Sequence, residues 1–98
     1  MAATLERTDL QKRILIAAHG SGGRIILWIM GDGRWKIPAF EEDVAGEMKP
    51  LCVERLFARR DARGETVEDD AAAALPVGFQ VFQLTAEGEA EARRILGR

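Results

Sequence analysis

Few residues of this chain are of a type that could carry catalysis or bind a metal. His19 is the only histidine and Cys52 the only cysteine. His19 lies close to Ser21, but near neighbours in sequence seldom aim at each other, and no third residue nearby would orient the imidazole. One histidine, one cysteine and scattered carboxylates do not have the ligand spacing of a zinc site. The sequence therefore predicts no enzyme activity, no catalytic residue, no metal site and no cofactor.

Two other features have both a chemical and a structural interpretation. The glycine-rich residues 20–23 could cradle an anion, but they lack the lysine and the spacing of a phosphate-binding loop. Because glycine is unfavourable inside helices, we predict that they end a helix. A helix N-terminus could activate the Cys52 thiol. Since free cysteine commonly acts as a small buried apolar side chain, we favour that role for it.

Basic side chains are densest between residues 49 and 63. They could contact DNA phosphates, with Lys49 or Arg55 reaching base edges in a major groove. The alternative is a solvated helix end, where the helix dipole favours arginine. The formal net charge of −2 argues mildly against nucleic acid, because strong binders usually carry a basic excess. The candidate DNA-binding residues are Lys49, Arg55, Arg59, Arg60 and Arg63.

Length, hydropathy and cysteine content limit the setting of the protein. The 98 residues fit one domain, and so small a domain would gain stability from a homodimer interface. The longest apolar run, residues 25–30, is far shorter than the roughly 18–20 residues that cross a bilayer. A single cysteine cannot form an internal disulfide. We therefore expect a cytoplasmic homodimer without a membrane segment.

Helical spacing is clearest near the N-terminus. Thr8 or Asp9 can cap a helix by accepting from free amide groups of its first turn. The stripe that this helix would bury follows, and the glycines of residues 20–23 end it. Its members are Leu10, Ile14, Leu15 and Ala18.

Residues 24–37 are ambiguous. Their apolar run fits a buried strand and a short core helix equally well. A turn at residues 31–33 would make a hairpin, whereas a helix would end at Gly31. We favour the helix slightly because of the segments that follow. We also favour a core position for Trp28 and leave the position of Trp35 open.

The middle of the chain predicts two consecutive helices. Residues 38–49 begin with a proline and carboxylates suited to a first helical turn, and their apolar residues have helical spacing. Pro50 predicts a break near Lys49, because an interior proline removes a hydrogen bond and clashes with the preceding turn. The second helix is predicted over residues 50–60.

The C-terminal part predicts a loop, a strand and a helix. Residues 65–78 are polar, then alanine-rich, and contain Pro76, which is typical of a long flexible loop. Residues 79–84 predict a strand. Thr85 then caps a final helix that ends near Leu96.

A pattern over residues 51–96 combines several of these features. Residues 56–60 read Leu-Phe-Ala-Arg-Arg, residues 61–64 read Asp-Ala-Arg-Gly, and residues 84–88 read Leu-Thr-Ala-Glu-Gly. This order resembles the strand, turn and strand-to-helix junction of winged-helix regulators of the MarR and PadR type. In the junction, Gly88 would let the closing helix pack closely on a neighbour.

The resemblance implies a mostly α-helical α+β fold with a small antiparallel β-wing, a winged helix-turn-helix, as one domain over residues 1–98. Residues 65–78 would be its wing loop, and residues 50–60 its recognition helix on double-stranded DNA. Two departures weaken the match: Arg55 stands where these families usually have glycine, and four carboxylates on the wing would repel phosphates. The alternative function is a winged-helix module that binds a partner protein and no DNA.

Overall fold

The computed structural model describes residues 7–60 and 77–97, together with the backbone of residues 66–67. They form three helices, α1 (Asp9–Gly20), α2 (Ala45–Val53) and α3 (Ala86–Leu96). The strands are β1 (Arg24–Ile29), β2 (Trp35–Lys36), β3 (Phe57–Arg60), β4 (Thr66–Val67) and β5 (Gly78–Leu84). The α+β class is confirmed, although the sheet is larger than the small wing that was predicted.

The strands form one antiparallel sheet in the order β2-β1-β5-β3-β4. Residues of β1 alternate between exposed and buried along the strand. The helices therefore cover one face of the sheet, which we call the inner face, and leave the other open. The core lies between the inner face and the helices. Its largest fully buried side chains are Ile14, Leu15, Leu27, Val44, Met48, Leu51 and Phe82.

Helix α1 forms as predicted. The Thr8 hydroxyl accepts from the backbone N–H of Gln11 at 3.1 Å, and the Gln11 side chain accepts from the N–H of Thr8. This capping box satisfies two backbone donors that the first turn leaves free. Ile14, Leu15 and Ala18 are fully buried along one face of the helix, so the predicted stripe is confirmed.

Residues 24–37 form the hairpin β1–β2, so the preference for a helix was wrong. Ile25, Leu27 and Ile29 point to the inner face, where β5 pairs with β1 along its whole length. An apolar run can satisfy either structure, and this long-range pairing decides between them. The core position expected for Trp28 was also wrong, because its side chain is 49% exposed. Trp35 is the buried tryptophan, at 3%.

A single helix, α2, replaces the two helices predicted over residues 38–60. Residues 38–44 are not helical. There the Asp43 carboxylate accepts from the N–H groups of Trp35 (2.9 Å) and Ala45 (3.0 Å), and the Val44 N–H donates to the Trp35 carbonyl. Because these bonds hold the segment against β2, the helix begins only at Ala45.

Pro50 lies inside α2 and does not break it. A proline here leaves the Gly46 carbonyl without its helical donor, but Gly46 and Pro50 are both exposed to water. Met48 and Leu51 are fully buried, and their burial holds the helix through the proline.

The predicted recognition helix over residues 50–60 is wrong in its bounds, because α2 ends at Val53. The N–H of Arg55 donates to the carbonyl of Cys52 and the N–H of Leu56 to that of Leu51, each at 3.0 Å. These two bonds form a Schellman motif. The motif places Arg55 in the left-handed region at φ 62°, a conformation that favours glycine. Residues 57–60 then continue as β3.

Replacing Arg55 with glycine is expected to raise the free energy of unfolding by about 0.5–1 kcal/mol, because glycine adopts the left-handed conformation without a Cβ clash. Urea denaturation measures the change. Arg55→Ala removes the same charge but keeps the Cβ, and it should give no such gain. Equal stabilisation by both substitutions would assign the effect to charge and contradict the prediction.

The C-terminal elements match the prediction closely. The predicted strand is β5, and the Thr85 hydroxyl caps α3 by accepting from the N–H of Gly88 at 3.0 Å. The expected close approach at Gly88 is confirmed, since its Cα faces the backbone of Leu56. Part of the predicted loop over residues 65–78 is strand β4. Residues 61–65 and 68–76 lie outside the described residues.

Candidate binding surface

The open face of the sheet carries an apolar patch. This outer face holds the side chains that point away from the helices, and its centre is formed by Ile26, Trp28, Phe79 and Val81. Trp28 and Phe79 face each other across β1 and β5, with ring centroids 5.1 Å apart. Phe79 is 62% exposed and Trp28 is 49% exposed. Contiguous exposed apolar side chains of this size mark interaction surfaces.

Basic residues border this patch. Arg24 begins β1 on the outer face, and Lys36 lies opposite Trp28 on β2. The Lys36 ammonium donates to the backbone carbonyl of Glu41. Among the strand residues that the structure describes, none on the outer face is acidic. The outer face is therefore apolar at its centre and positive at its border, although the whole chain has a net charge of −2.

A cleft of about 400 Å³ continues the outer face past the edge of β1. Ile26 and Val81 line it on the side of the sheet, and Pro38 and Phe40 line it on the opposite side. Ala17 of α1 and Ser21, just after that helix, also line it. The lining is mostly apolar, with Arg24 at its border.

The candidate DNA-binding residues do not lie on one helix. Lys49 is on α2, where its Nζ lies 5.3 Å from the centroid of the buried Trp35 ring. Arg55 is exposed in the turn after α2. Its charge and that of Lys49 are the part of the predicted basic group that remains near a helix.

Arg59 and Arg60 lie on β3 and point to opposite faces of the sheet. Arg59 lies opposite Phe82 on the inner side, and its Nη1 donates to the Gln80 Oε1 at 3.2 Å. Arg60 lies opposite Val81 on the outer face. The two charges therefore lie on opposite faces of the sheet and do not form one basic surface. Arg63 lies outside the described residues.

The side chains with catalytic or metal-binding potential have structural surroundings. His19 Nδ1 contacts the Glu89 carboxylate and joins α1 to α3. Cys52 is buried, as its apolar role predicted, and it lies near the end of α2, away from the helix N-terminus. No three histidine, cysteine, aspartate or glutamate side chains in the described part of the chain are grouped to hold a metal ion.

An ion-pair cluster connects the segment before α1 to two helices. The Arg7 guanidinium donates to Glu54 at 2.8 Å and also pairs with Glu91. A hydrogen bond from Arg94, reinforced by Arg7, holds the pKa of Glu91 at about 2, below its ordinary value. The cluster serves the fold and lies apart from the outer face. No local sequence pattern predicts this cluster, because its partners are distant in sequence.

Sequence reasoning missed the outer face. The signal for it was the unbroken apolar run over residues 25–30, because a strand would divide these apolar side chains between two faces. That signal appears only once the segment is known to be a strand.

Comparison with models of protein families, with curated proteins and with solved structures finds no match to this chain. Among the residues described, no helix has the length and hydropathy needed to cross a membrane.

Proposed function

We propose that this protein is a binding module that docks a partner protein on the outer face of its sheet. The observation that carries the proposal is the exposed pair Trp28 and Phe79, at the centre of an apolar patch. Aromatic side chains are enriched in protein interfaces because each buries a large area with few rotatable bonds. The partner surface would be apolar at its centre, with carboxylates positioned toward Arg24 and Lys36.

Charge favours a different protein over a second copy of this chain. A two-fold interface places the same patch on both subunits, so the basic border of one copy would approach that of the other. Carboxylates on the partner would instead attract the border and exclude wrong partners. A homodimer through this face is therefore the competing outcome of the experiment.

Selection of a random peptide library on the immobilised protein tests the proposal. We expect enriched peptides to combine aromatic or aliphatic residues with aspartate or glutamate. Trp28→Ser should weaken their binding about tenfold or more, as loss of a central aromatic anchor usually does. Val53→Ser is the matched control, because Val53 is exposed to a similar degree but lies on α2.

Three results would overturn the proposal. The first is a library without enrichment of acidic and apolar residues. The second is peptide binding that Trp28→Ser and Val53→Ser reduce equally. The third is a concentration-dependent dimer in sedimentation that Trp28→Ser dissociates, which would assign the face to a second copy.

Double-stranded DNA is the second candidate, on a scaffold of the winged-helix type. It is favoured by the antiparallel neighbours β3 and β5, followed directly by α3, in the order that a wing and closing helix require. Against it, all residues between β1 and β3 are described and contain one helix, α2, so the first helix of a helix-turn-helix pair is missing. The basic residues available at α2 are Lys49 and Arg55.

Fluorescence anisotropy with random-sequence duplex at low salt tests this second candidate. DNA binding should weaken steeply with salt and fall further in Lys49→Ala and Arg55→Ala, because each removes a phosphate contact. No binding at tens of micromolar protein, where non-specific contact is normally visible, would exclude it.

A further inference from the structure

We propose that the partner supplies an extended segment, which adds as a strand to the open edge of β1 at Arg24 and Ile26. This inference rests on the proposed function and specifies its binding mode. Such strand addition takes affinity from backbone hydrogen bonds and specificity from the pockets that receive alternate side chains.

The hydrogen bonds of β1 show which of its backbone groups face this edge. The N–H of Leu84 donates to the carbonyl of Gly23 at 2.7 Å, where β5 meets the start of β1. In an antiparallel pair every second residue bonds the neighbouring strand. The backbone N–H and carbonyl groups of the odd-numbered residues of β1 therefore bond β5. Those of the even-numbered residues point to the opposite edge of the strand.

Strand β2 occupies only one end of that edge. On this side the N–H of Met30 donates to the carbonyl of Arg34 at 2.8 Å, and Trp28 pairs with Lys36. Pro38 would be the next partner, opposite Ile26, but it has no N–H to donate. The chain turns away there, with the N–H of Phe40 donating to the carbonyl of Ile37 at 2.8 Å.

Arg24 and Ile26 consequently present their N–H and carbonyl groups to the open edge. Within residues 7–60 and 77–97, no backbone group bonds either residue on this side. Exposed strand edges of this kind pair readily with another chain, and proteins normally cover or charge them. Two alternate residues offer up to four backbone hydrogen bonds to an added strand.

The cleft beside this edge determines which side chains the incoming strand can carry. Its wall of Ile26, Pro38 and Phe40 suits an aliphatic side chain. Arg24 is exposed at its border and forms no ion pair with the described residues. A segment with an aliphatic and an acidic residue two positions apart would place both side chains on the face that carries Ile26 and Arg24, the aliphatic one in the cleft and the carboxylate near Arg24. Charge thus selects an acidic β-strand over a neutral one.

The test compares Ile26→Pro with Ile26→Ala. The probe is a blocked peptide of about ten residues in which valine and glutamate alternate at every second position, with threonine between them, and it is long enough to span the edge. Both substitutions remove most of the isoleucine side chain, but proline also removes the edge-facing N–H, whereas alanine keeps that donor. We expect Ile26→Pro to bind about tenfold more weakly than Ile26→Ala, and the peptide to shift the amide resonances of Arg24 and Ile26 in the unaltered protein.

A second measurement leaves the protein unaltered and remains decisive if Ile26→Pro does not fold. Two versions of the peptide carry N-methyl groups on alternate residues, one on the odd and one on the even positions. Only one set of amides can face β1 in an added strand, so one version should lose binding about tenfold or more and the other should keep it.

Equal binding of both methylated peptides, or no binding of the unmodified peptide, would overturn strand addition. Peptides from the library that require Trp28 but tolerate both methylation patterns would leave the outer face as the docking site and reject the strand mode. If peptide binding also does not depend on Trp28, both the docking site on the outer face and the strand mode are rejected.

Discussion

Replacing Gly88 with alanine should destabilise the protein by about 3 kcal/mol or more, although the same change usually strengthens a helix. A methyl group at this position would overlap the carbonyl oxygen of Leu56 and lie 2.9 Å from its carbonyl carbon. That carbonyl also accepts from the N–H of Thr85 at 3.0 Å. Backbone atoms held by such bonds cannot move aside as a flexible side chain can. Urea denaturation measures the loss.

Gly46→Ala is the matched control, because Gly46 is also helical but nothing lies within 4 Å of the added methyl group. It should stabilise the protein by up to about 1 kcal/mol, the usual difference between alanine and glycine in a helix. If both substitutions stabilise the protein, α3 and the start of β3 are not in close contact.

Phe82→Ala is expected to lower the free energy of unfolding by about 4 kcal/mol. Phe82 is 2% exposed on the inner face of β5, where its ring lies 6.2 Å from that of Trp35. Its removal would leave a cavity between the sheet and the helices, which the surrounding backbone cannot fill. Thermal and urea unfolding both report this loss.

Phe79→Ala provides a control on the same strand, three residues away and on the opposite face of the sheet. The change in unfolding free energy should stay below about 1 kcal/mol, because the ring is already largely in water. Peptide binding, in contrast, should decrease with Phe79→Ala. Similar destabilisation by both substitutions would contradict the assignment of inner and outer faces.

The elements that sequence predicted well depend on local chemistry. The Thr8 capping box and the cap of α3 by Thr85 use hydrogen bonds between residues within four positions of one another. Such contacts form in the same way in many folds, so their residue patterns carry over. The same reasoning placed Ile14 and Ala18 in the core.

The elements that it missed depend on long-range pairing. Residues 24–29 became a strand because residues 78–83 of β5, which are far away in sequence, pair with them. Pro50 predicted a helix break on local grounds, but burial of Met48 and Leu51 outweighed it. The outer face combines Trp28 and Phe79 from these two strands, so no local pattern could place the two rings together.

The contrast between Trp28 and Trp35 gives the protein two separate optical reporters. The chain has these two tryptophans and no tyrosine, so its near-ultraviolet emission comes from one half-exposed and one buried indole. In Trp28→Phe the remaining tryptophan is the buried Trp35, so a red shift of its emission on unfolding would report the core alone. Trp35→Phe would leave an emission that follows occupation of the outer face, and the two variants would read folding and docking independently.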